Sequence, residues 1–336
     1  IKKTIMNRLL TVSPSPHVKG HESVRSIMYG VVISLIPALG VAVYFFGLDA
    51  LKLTLVAVAA SVFFEWLIQK FLIKAPARSA FDGSAVITGM LLAFNVPSNL
   101  PIWMMVVGAL VAIGVGKMSF GGLGKNIFNP ALVGRVFMLI SWPVEMTTWP
   151  NNRFHLADGY TGATPLGMLK EGLQGGEDMS KIMDELPSAL DYFVGNMSGC
   201  IGEVSALALL IGGIYMVARK LINWQTPVTI FATVFIFAAI MRAVNPELYP
   251  EPTFHLLTGG LFIGAIYMAT DMVSSPITIK GQVIFSIGIG IITLVIRYWG
   301  AYPEGVSFAI LIMNATVPII DRYTKPKRFG EEVKNG

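Results

Sequence analysis

The chain has 336 residues, of which 54% are hydrophobic and only 13% are charged, and its mean hydropathy is +0.65. Ordinary soluble domains carry about 25% charged residues, so this composition excludes a soluble enzyme or binding module and predicts an integral membrane protein. The net charge of +5 would suggest a nucleic-acid partner in a soluble chain. Here the basic residues flank apolar runs, where they orient helices in lipid, so we expect membrane lipid and no nucleic acid as a partner.

Ten apolar runs follow one another along the chain and are predicted to be spans. They lie at about 25–46, 50–73, 84–95, 101–118 and 131–146, and then at 200–218, 226–243, 254–270, 282–299 and 305–320. An even number of spans places both ends of the chain on one side of the membrane. The sequence therefore predicts an all-α membrane protein of about ten transmembrane helices, and no charged or Pro/Ser-rich linker divides it into separate domains.

The spans define five predicted regions. They are a cytoplasmic N-terminal segment (1–24), a first five-helix half (25–146), an extracytoplasmic loop (147–199), a second five-helix half (200–320) and a basic cytoplasmic tail (321–336).

The distribution of charge between the loops sets the predicted orientation. Lysine and arginine are concentrated at the N-terminus, at 70–78, 117–125 and 219–220, at Lys280 and in the tail, all on one face of this topology. The positive-inside rule makes that face cytoplasmic. The 147–199 loop instead carries seven acidic and three basic residues, so we expect it outside the cytoplasm. Arg242 and Arg297, near outer helix ends, are expected to snorkel to the interface.

Two of the predicted spans are interrupted in a similar way. The apolar runs that open at Thr88 and Thr258 break at 95–99 and at 271–276. Because each half has an odd number of spans, a second copy would be inverted, and discontinuous helices in inverted repeats are typical of transporter cores. We therefore predict two inverted five-helix repeats with interrupted helices. A packing kink without a ligand is the alternative.

The longest polar interval contains the heptad Asp158-Gly159-Tyr160-Thr161-Gly162-Ala163-Thr164. The Thr164 hydroxyl can be esterified to a phosphate, Gly162 and Ala163 leave room for a modifying enzyme, and Asp158 can help to hold a metal ion against the phosphate. A threonine hydroxyl is a weak nucleophile, so its activation must come from another enzyme. The alternative is a turn with incidental threonines.

The heptad, with Pro165-Leu166 after it, resembles the covalent flavin mononucleotide (FMN) motif of two related membrane subunits. One is the D subunit of Rnf complexes, which couple ferredoxin and NAD+ chemistry to ion pumping, and the other is the B subunit of the sodium-translocating NADH:quinone oxidoreductase. The likeness covers nearly the whole chain and includes residues 10–18, 121–132, 201–205, 269–271 and 302–305. The B subunit has a longer N-terminal extension before its first membrane helix, and this sequence shows none, so we expect the D subunit to be the closer match.

The resemblance implies a flavoprotein subunit of an ion-translocating ferredoxin:NAD+ oxidoreductase in the bacterial inner membrane. An exported FMN transferase would join FMN to Thr164, with Asp158, Thr161, Gly162 and Ala163 completing the motif. Ferredoxin and NAD+ would bind other Rnf subunits, and Na+ or H+ transport would be coupled to the redox step. Two alternatives remain open: an inverted-repeat solute channel without a redox role, and a scaffold subunit whose motif is unmodified.

The same family has a second, non-covalent flavin, riboflavin, near the cytoplasmic side. The glycine-rich segment 121–130 contains Asn126 and Asn129, whose amides can both donate and accept hydrogen bonds. Such a pair would suit the N3/O4 edge of an isoalloxazine ring. A helix crossing that needs small residues is the alternative for the glycines.

Several charged residues lie within or beside predicted spans. Arg135 needs an anion, either a flavin or a carboxylate, unless it snorkels from a helix end. The acidic candidates for a cation or proton path are Glu65, Glu203, Asp271 and Asp321. Structural ion pairs are the competing account, and for Asp321 beside Arg322 the better one. Ser274 and Ser275 could supplement a sodium site at Asp271, but no metal ligand is firmly predicted.

The single Cys200 cannot by itself hold an iron–sulfur cluster, which normally takes four protein ligands. We therefore expect any such cluster to belong to another protein of the complex.

Overall fold

The computed structural model describes residues 23–74, 81–150, 161–195, 197–203 and 205–325. Within these ranges most of the chain is helical. The helices before the long loop are α1 (Val24–Phe46), α2 (Leu48–Ile68), α3 (Ser84–Phe94), α4 (Ile102–Gly114), α5 (Pro130–Ser141) and α6 (Pro143–Thr147). The loop contains strands β1 (Trp149–Pro150) and β2 (Thr161–Gly162) and helices α7 (Pro165–Gln174), α8 (Met179–Glu185) and α9 (Ala189–Val194). After it come α10 (Ala206–Ala218), α11 (Gln225–Val244), α12 (Pro252–Leu257), α13 (Leu261–Ile263), α14 (Ile279–Trp299) and α15 (Val306–Thr324).

Six helical segments in the described part of the chain are long and apolar enough to cross a membrane. They are Val24–Phe46, Leu48–Ile73, Ile102–Phe120, Gln225–Val244, Ile279–Trp299 and Val306–Thr324. Three further apolar helices, α3, α5 and α10, are shorter. The predicted span 254–270 consists of α12, α13 and the π-helical segment Gly264–Met268. A mostly helical, multi-pass membrane protein is therefore confirmed, whereas ten crossings stay a prediction.

At the break after α3, two backbone carbonyls have hydrogen-bond partners from another segment, as an apolar environment requires. At the end of α3, the Phe94 and Val96 carbonyls accept hydrogen bonds from the backbone N–H groups of Gly202 (2.8 Å) and Ile201 (3.1 Å). Phe94 is the last residue of α3, and its carbonyl is one that a helix leaves without an internal partner when it ends. The break after α3 is thus closed by a second irregular segment, the one that precedes α10.

The helices of the two halves pack in the same order. In the first half α2 packs on α3 and α4, and α4 packs on α5. In the second half α11 packs on α12 and α14, and α14 packs on α15. The first helix of each half, α1 and α10, pack against each other. The packing order thus recurs in the two halves, whereas inverted repeats stay a prediction.

The described part of the 147–199 loop is folded. Strands β1 and β2 pair antiparallel, with Trp149 opposite Gly162, a small departure from the all-α prediction. Helices α7 to α9 share a hydrophobic cluster that also contains Phe254 of α12. The members of that cluster are Leu166, Leu169, Ile182, Leu186, Tyr192, Met197 and Phe254. The loop is therefore a small packed unit seated on the second half.

Gly89 of α3 sets how closely that helix approaches α2. A Cβ on Gly89 would lie 2.7 Å from Val58 Cα and 2.8 Å from the Ala57 carbonyl oxygen, whereas a Cβ on Gly40 of α1 would meet nothing within 4 Å. We expect Gly89→Ala to destabilise the protein by about 1–3 kcal/mol through overpacking. The matched variant Gly40→Ala should be neutral or up to about 1 kcal/mol stabilising, since alanine is the better helix former. Thermal unfolding in detergent, followed by circular dichroism, measures both, and equal melting temperatures for the two variants would contradict the packing argument.

Candidate functional site

Thr164 begins α7 as its N-cap. Its Oγ1 accepts a hydrogen bond from the Gly167 N–H at 3.1 Å, and the residue is half-buried beside exposed Ala163. The first N–H groups of a helix and its dipole favour negative charge at this end. The hydroxyl therefore lies where a phosphate ester would be stabilised. Thr161 and Gly162 precede it in β2, and the predicted metal-holding Asp158 lies outside the described residues.

The space beside the Thr164 hydroxyl depends on a glycine. A Cβ at position 167 would lie 3.2 Å from Thr164 Oγ1, which is tighter than an ordinary van der Waals contact. Gly167 thus keeps one side of the hydroxyl open, as an attached group needs.

Lys170 fixes α7 to the connection between α14 and α15. Its ammonium donates to the Gly300 carbonyl and, at 3.2 Å, to the Tyr302 carbonyl. Partial burial lowers the pKa of this ammonium. One turn earlier in α7, Leu166 packs beside Gly259, whose lack of a side chain leaves room for it. The N-terminus of α7 is therefore held over the end of α14.

Arg135 finds its predicted anion in a carboxylate of the chain itself. Its guanidinium donates to the Glu304 carboxylate and to the Ser307 hydroxyl, and Glu304 also accepts from the Gly260 N–H at 2.7 Å. Arg135 is 6% exposed, so the alternative of snorkelling is wrong. Its Nε is buried and has no hydrogen-bond partner among the described residues. Sequence reasoning marked residues 302–305 only as part of the family likeness and missed the role of Glu304.

Arg297 is buried as well, and the prediction that it snorkels is wrong. Its guanidinium donates to the carbonyls of His255 (2.6 Å) and Thr258 (2.9 Å), which the break between α12 and α13 leaves in the interior. Arg242, by contrast, has a 39% exposed side chain and pairs with Glu251 at 2.9 Å, in keeping with its predicted interfacial position.

A cavity bordered by Lys117, Asn126, Asn129 and Asp271 lies where the start of α1 meets the end of α10. We call it the Asp271 cavity. The structure thus brings the predicted pair Asn126 and Asn129 to the same cavity as Asp271, which the sequence singled out separately. Asn129 is the N-cap of α5, its Oδ1 accepting from the Ala131 N–H at 3.1 Å while its Nδ2 donates to the Met268 carbonyl at 3.2 Å. Both polar atoms of its amide are therefore occupied by hydrogen bonds within the protein.

Asn126 and Asp271, which also border this cavity, differ in how they are held. Asn126 Nδ2 donates to the Phe128 carbonyl at 3.1 Å. Asp271 Oδ2 accepts from the Ser274 hydroxyl at 2.8 Å, and the sodium site predicted there stays a prediction. Of the two predicted asparagines, Asn126 is the better placed to meet a ligand.

Lys117 at the edge of the cavity forms a buried ion pair with Glu65. Lys117 Nζ lies 2.6 Å from Glu65 Oε2, and the two side chains are 2% and 0% exposed. Lys117 also donates to the Ser84 hydroxyl at 2.6 Å, and Glu65 Oε1 accepts from Gln69 Nε2 at 3.1 Å. The sequence analysis counted Lys117 only among the cations that set the orientation, but its side chain is buried, and its charge neutralises Glu65. For Glu65 the geometry is that of a structural ion pair.

The Asp271 cavity and helix α7 lie at opposite ends of α14. Asn223, next to the lining residue Ile222, donates to Gln282 in the first turn of α14 at 3.1 Å. Gly300, just past the other end, accepts the bond from Lys170. At 1.5 Å per residue, the 21 residues of α14 separate the two sites by about 30 Å.

No group of three or more His, Cys, Asp or Glu side chains that could hold a metal ion is found among the described residues. Buried Cys200 is a free thiol.

The chain is similar to known proteins over nearly its whole length. A family model described as the NQR2, RnfD, RnfE family matches residues 11–330. The chain is 48% identical over 328 residues to the D subunit of the Na(+)-translocating ferredoxin:NAD(+) oxidoreductase complex of Acetobacterium woodii, covering 97% of each chain. It is 44% identical over 330 residues to the D subunit of the proton-translocating ferredoxin:NAD(+) oxidoreductase complex of Clostridium ljungdahlii, covering 97% of this chain and 98% of that one. It is 40% identical to the D subunit of the ion-translocating oxidoreductase complex of Stutzerimonas stutzeri, covering 93% and 94%.

Proposed function

Since the chain belongs to the NQR2, RnfD, RnfE family, we propose that it is the membrane flavoprotein subunit of an ion-translocating ferredoxin:NAD+ oxidoreductase. Its homologues are subunits of redox-driven translocases of this kind. The chain acts as one component, and ferredoxin and NAD+ bind other subunits of the complex. One relative is named for Na+ and another for protons, so family membership leaves the transported ion open.

The proposed attachment of FMN is through a phosphoester on Thr164, made by a separate transferase. The observation that carries it is the position of the Thr164 hydroxyl at the N-cap of α7, next to Gly167. A negative group in the first turn of a helix is typically stabilised by about 0.3–1 kcal/mol. The flavin supplies the redox chemistry, while α7 holds its phosphate and Lys170 holds α7 in place.

We place a second, non-covalent flavin, riboflavin, in the Asp271 cavity. Asn126 supports this with an amide at the cavity wall, and the apolar lining suits a flat aromatic ring. Asn129 would contribute mainly by fixing the start of α5. Because the two proposed flavin sites lie about 30 Å apart along the axis of α14, electron exchange between flavins bound there would require another redox group. Another protein of the complex would supply it, since the chain has one cysteine.

For ion movement we propose Asp271, with the Ser274 hydroxyl, as the cation-binding carboxylate. It borders a cavity and already accepts that hydroxyl. Glu65 is a weaker candidate, since its charge is compensated by Lys117 and would be released only if that pair opened.

The proposed topology has ten membrane crossings in two inverted repeats in the bacterial inner membrane. Both termini would be cytoplasmic and the Thr164 loop outside. The bias of lysine and arginine and the recurring packing order of the two halves support it.

A solute channel or transporter is the second candidate. The interrupted segments around α3 and α12–α13 favour it, because such breaks are also found in transporter cores. A tethered redox group would serve no purpose there, so the presence of covalent flavin separates the two functions.

Mass spectrometry of the assembled complex tests the proposal. Cleavage after Arg153 and Lys170 gives a peptide of residues 154–170, and we expect its mass to be raised by that of FMN less one water. Fragmentation should place the added mass on Thr164 and leave Thr161 unmodified. An unmodified peptide from fully assembled material would instead indicate a channel or a scaffold subunit.

A further inference from the structure

The Asp271 cavity has one basic and one acidic side chain among the described residues that line it. These are Lys117 and Asp271, and most of the remaining lining is apolar. The Asp271 carboxylate forms no ion pair with a described residue, although the charge of Lys117 acts on it across the cavity. Opposite charges attract strongly in apolar surroundings, so other groups must hold the Lys117 ammonium away from Asp271.

Two groups outside the Asp271 carboxylate bind that ammonium. Lys117 Nζ lies 2.6 Å from Glu65 Oε2 and donates to Ser84 Oγ at 2.6 Å. Ser84 Oγ in turn donates to Asp82 Oδ1 at 2.5 Å. Glu65 is not among the residues that line the cavity. Lys117 therefore lies between two carboxylates, one that it binds and one that it faces.

The Glu65–Lys117 pair is not explained by stability alone, because apolar residues in place of a buried ion pair are often equally or more stabilising. The lysine ammonium is a compact charge on a flexible four-carbon stem. If Glu65 did not hold it, the ammonium would turn to the carboxylate that shares its cavity. It would then take the place of a cation at Asp271.

We propose that Lys117 and Glu65 together set the cation affinity of Asp271. Glu65 is a positioning residue that keeps the Lys117 ammonium off Asp271, so that a cation can bind there. From its place across the cavity the same ammonium repels the bound cation, so that the cation can also leave. A transport site needs both properties, since binding must be favourable enough for entry and weak enough for release. This inference rests on the proposed role of Asp271 and adds the residues that regulate it.

The test measures Na+ binding at Asp271 in the assembled complex. Dicyclohexylcarbodiimide modifies protonated carboxyl groups in apolar surroundings, and a bound cation protects them, so the Na+ concentration that halves the labelling reports the affinity. Mass spectrometry of the peptide that contains Asp271 locates the label. At one fixed pH we expect Glu65→Gln to need several-fold more Na+ than wild type, because Lys117 then turns to Asp271. The double variant Glu65→Gln with Lys117→Met lacks the ammonium and should need roughly tenfold less Na+ than wild type.

The ion pair between Glu177 and Lys181, 3.9 Å apart on the surface, provides the matched control. Glu177→Gln with Lys181→Met should keep the wild-type value. A purely structural pair predicts no opposite shifts, so shifts of both test variants in the same direction, or in neither, would overturn the proposal. If Glu65→Gln does not assemble, the double variant decides alone, and a value equal to or above that of wild type contradicts the proposal. Labelling that Na+ fails to reduce in both wild type and the double variant would instead overturn Asp271 as the cation-binding carboxylate.

Discussion

Replacing Thr164 by asparagine is expected to abolish covalent flavin attachment while leaving α7 intact. The asparagine amide oxygen can still accept the Gly167 N–H bond that Thr164 Oγ1 accepts, because asparagine is among the best N-cap residues. It has no hydroxyl to esterify. The Thr164→Val band should also lack flavin fluorescence. This variant additionally loses the N-cap hydrogen bond, which costs about 1 kcal/mol of stability. The measurement is flavin fluorescence of the denatured band under ultraviolet light, from chain co-expressed with the transferase.

A nearby threonine outside the heptad provides the matched control. Thr148 directly precedes β1, and its hydroxyl donates to the Val144 carbonyl at 2.6 Å. Thr148→Val should keep the full fluorescence of the wild-type band. If the asparagine variant at 164 stayed fluorescent, the flavin would be attached elsewhere, and the argument from the N-cap of α7 would fail.

Removing the cation of the buried pair should have the largest effect on stability. Lys117→Met leaves Glu65, a 0% exposed side chain, without its counter-charge in an apolar interior. Loss of one partner of a buried pair typically costs about 3–5 kcal/mol. The double variant Glu65→Gln with Lys117→Met carries no buried charge at this pair, and the introduced amide can still bind Gln69, so we expect it to recover most of the loss. Denaturant titration in detergent measures the free energy of unfolding of each variant.

Lys181→Met serves as the control for the loss of a lysine. Its ion pair with Glu177 is 3.9 Å long between side chains that are 64% and 45% exposed, and such surface pairs contribute less than about 1 kcal/mol. A Lys117→Met protein as stable as the Lys181→Met protein would mean that Glu65 is uncharged in the fold. A double variant no more stable than Lys117→Met would mean that lost packing, and not the unpaired carboxylate, causes the damage.

The positions of the long helices could be predicted from the sequence because hydropathy is a local property. The run predicted at 282–299, for example, is α14, Ile279–Trp299. Partners distant in sequence could not be predicted in this way. Arg135 required an anion, but nothing local pointed to Glu304, 169 residues away. Lys117 was counted as a loop residue because the apolar run ends there, and its burial follows from Glu65, 52 residues earlier.

The candidate site likewise combines features that are local in the sequence with features that arise only from tertiary packing. The heptad is contiguous, so the chemistry predicted for Thr164 follows from the sequence, and its N-cap geometry follows from Pro165 at the start of α7. The grouping of Asn126, Asn129 and Asp271 around one cavity arises from tertiary packing. The burial of Arg297 has its cause in another segment, where the break between α12 and α13 exposes two carbonyls that need a donor.

The hydrogen bonds that join Phe94 and Val96 to Gly202 and Ile201 limit how the molecule can move. Many transporters alternate access by rocking one half of the molecule on the other. Here that rotation would break these backbone hydrogen bonds in the apolar interior, where each unsatisfied backbone group costs several kcal/mol. A Cβ on Gly202 would collide with the Phe94 ring, so the contact between these two segments is also tightly packed. If ions pass through this chain as proposed, they would therefore have to do so by local displacement of side chains, while these hydrogen bonds between the two segments stay intact.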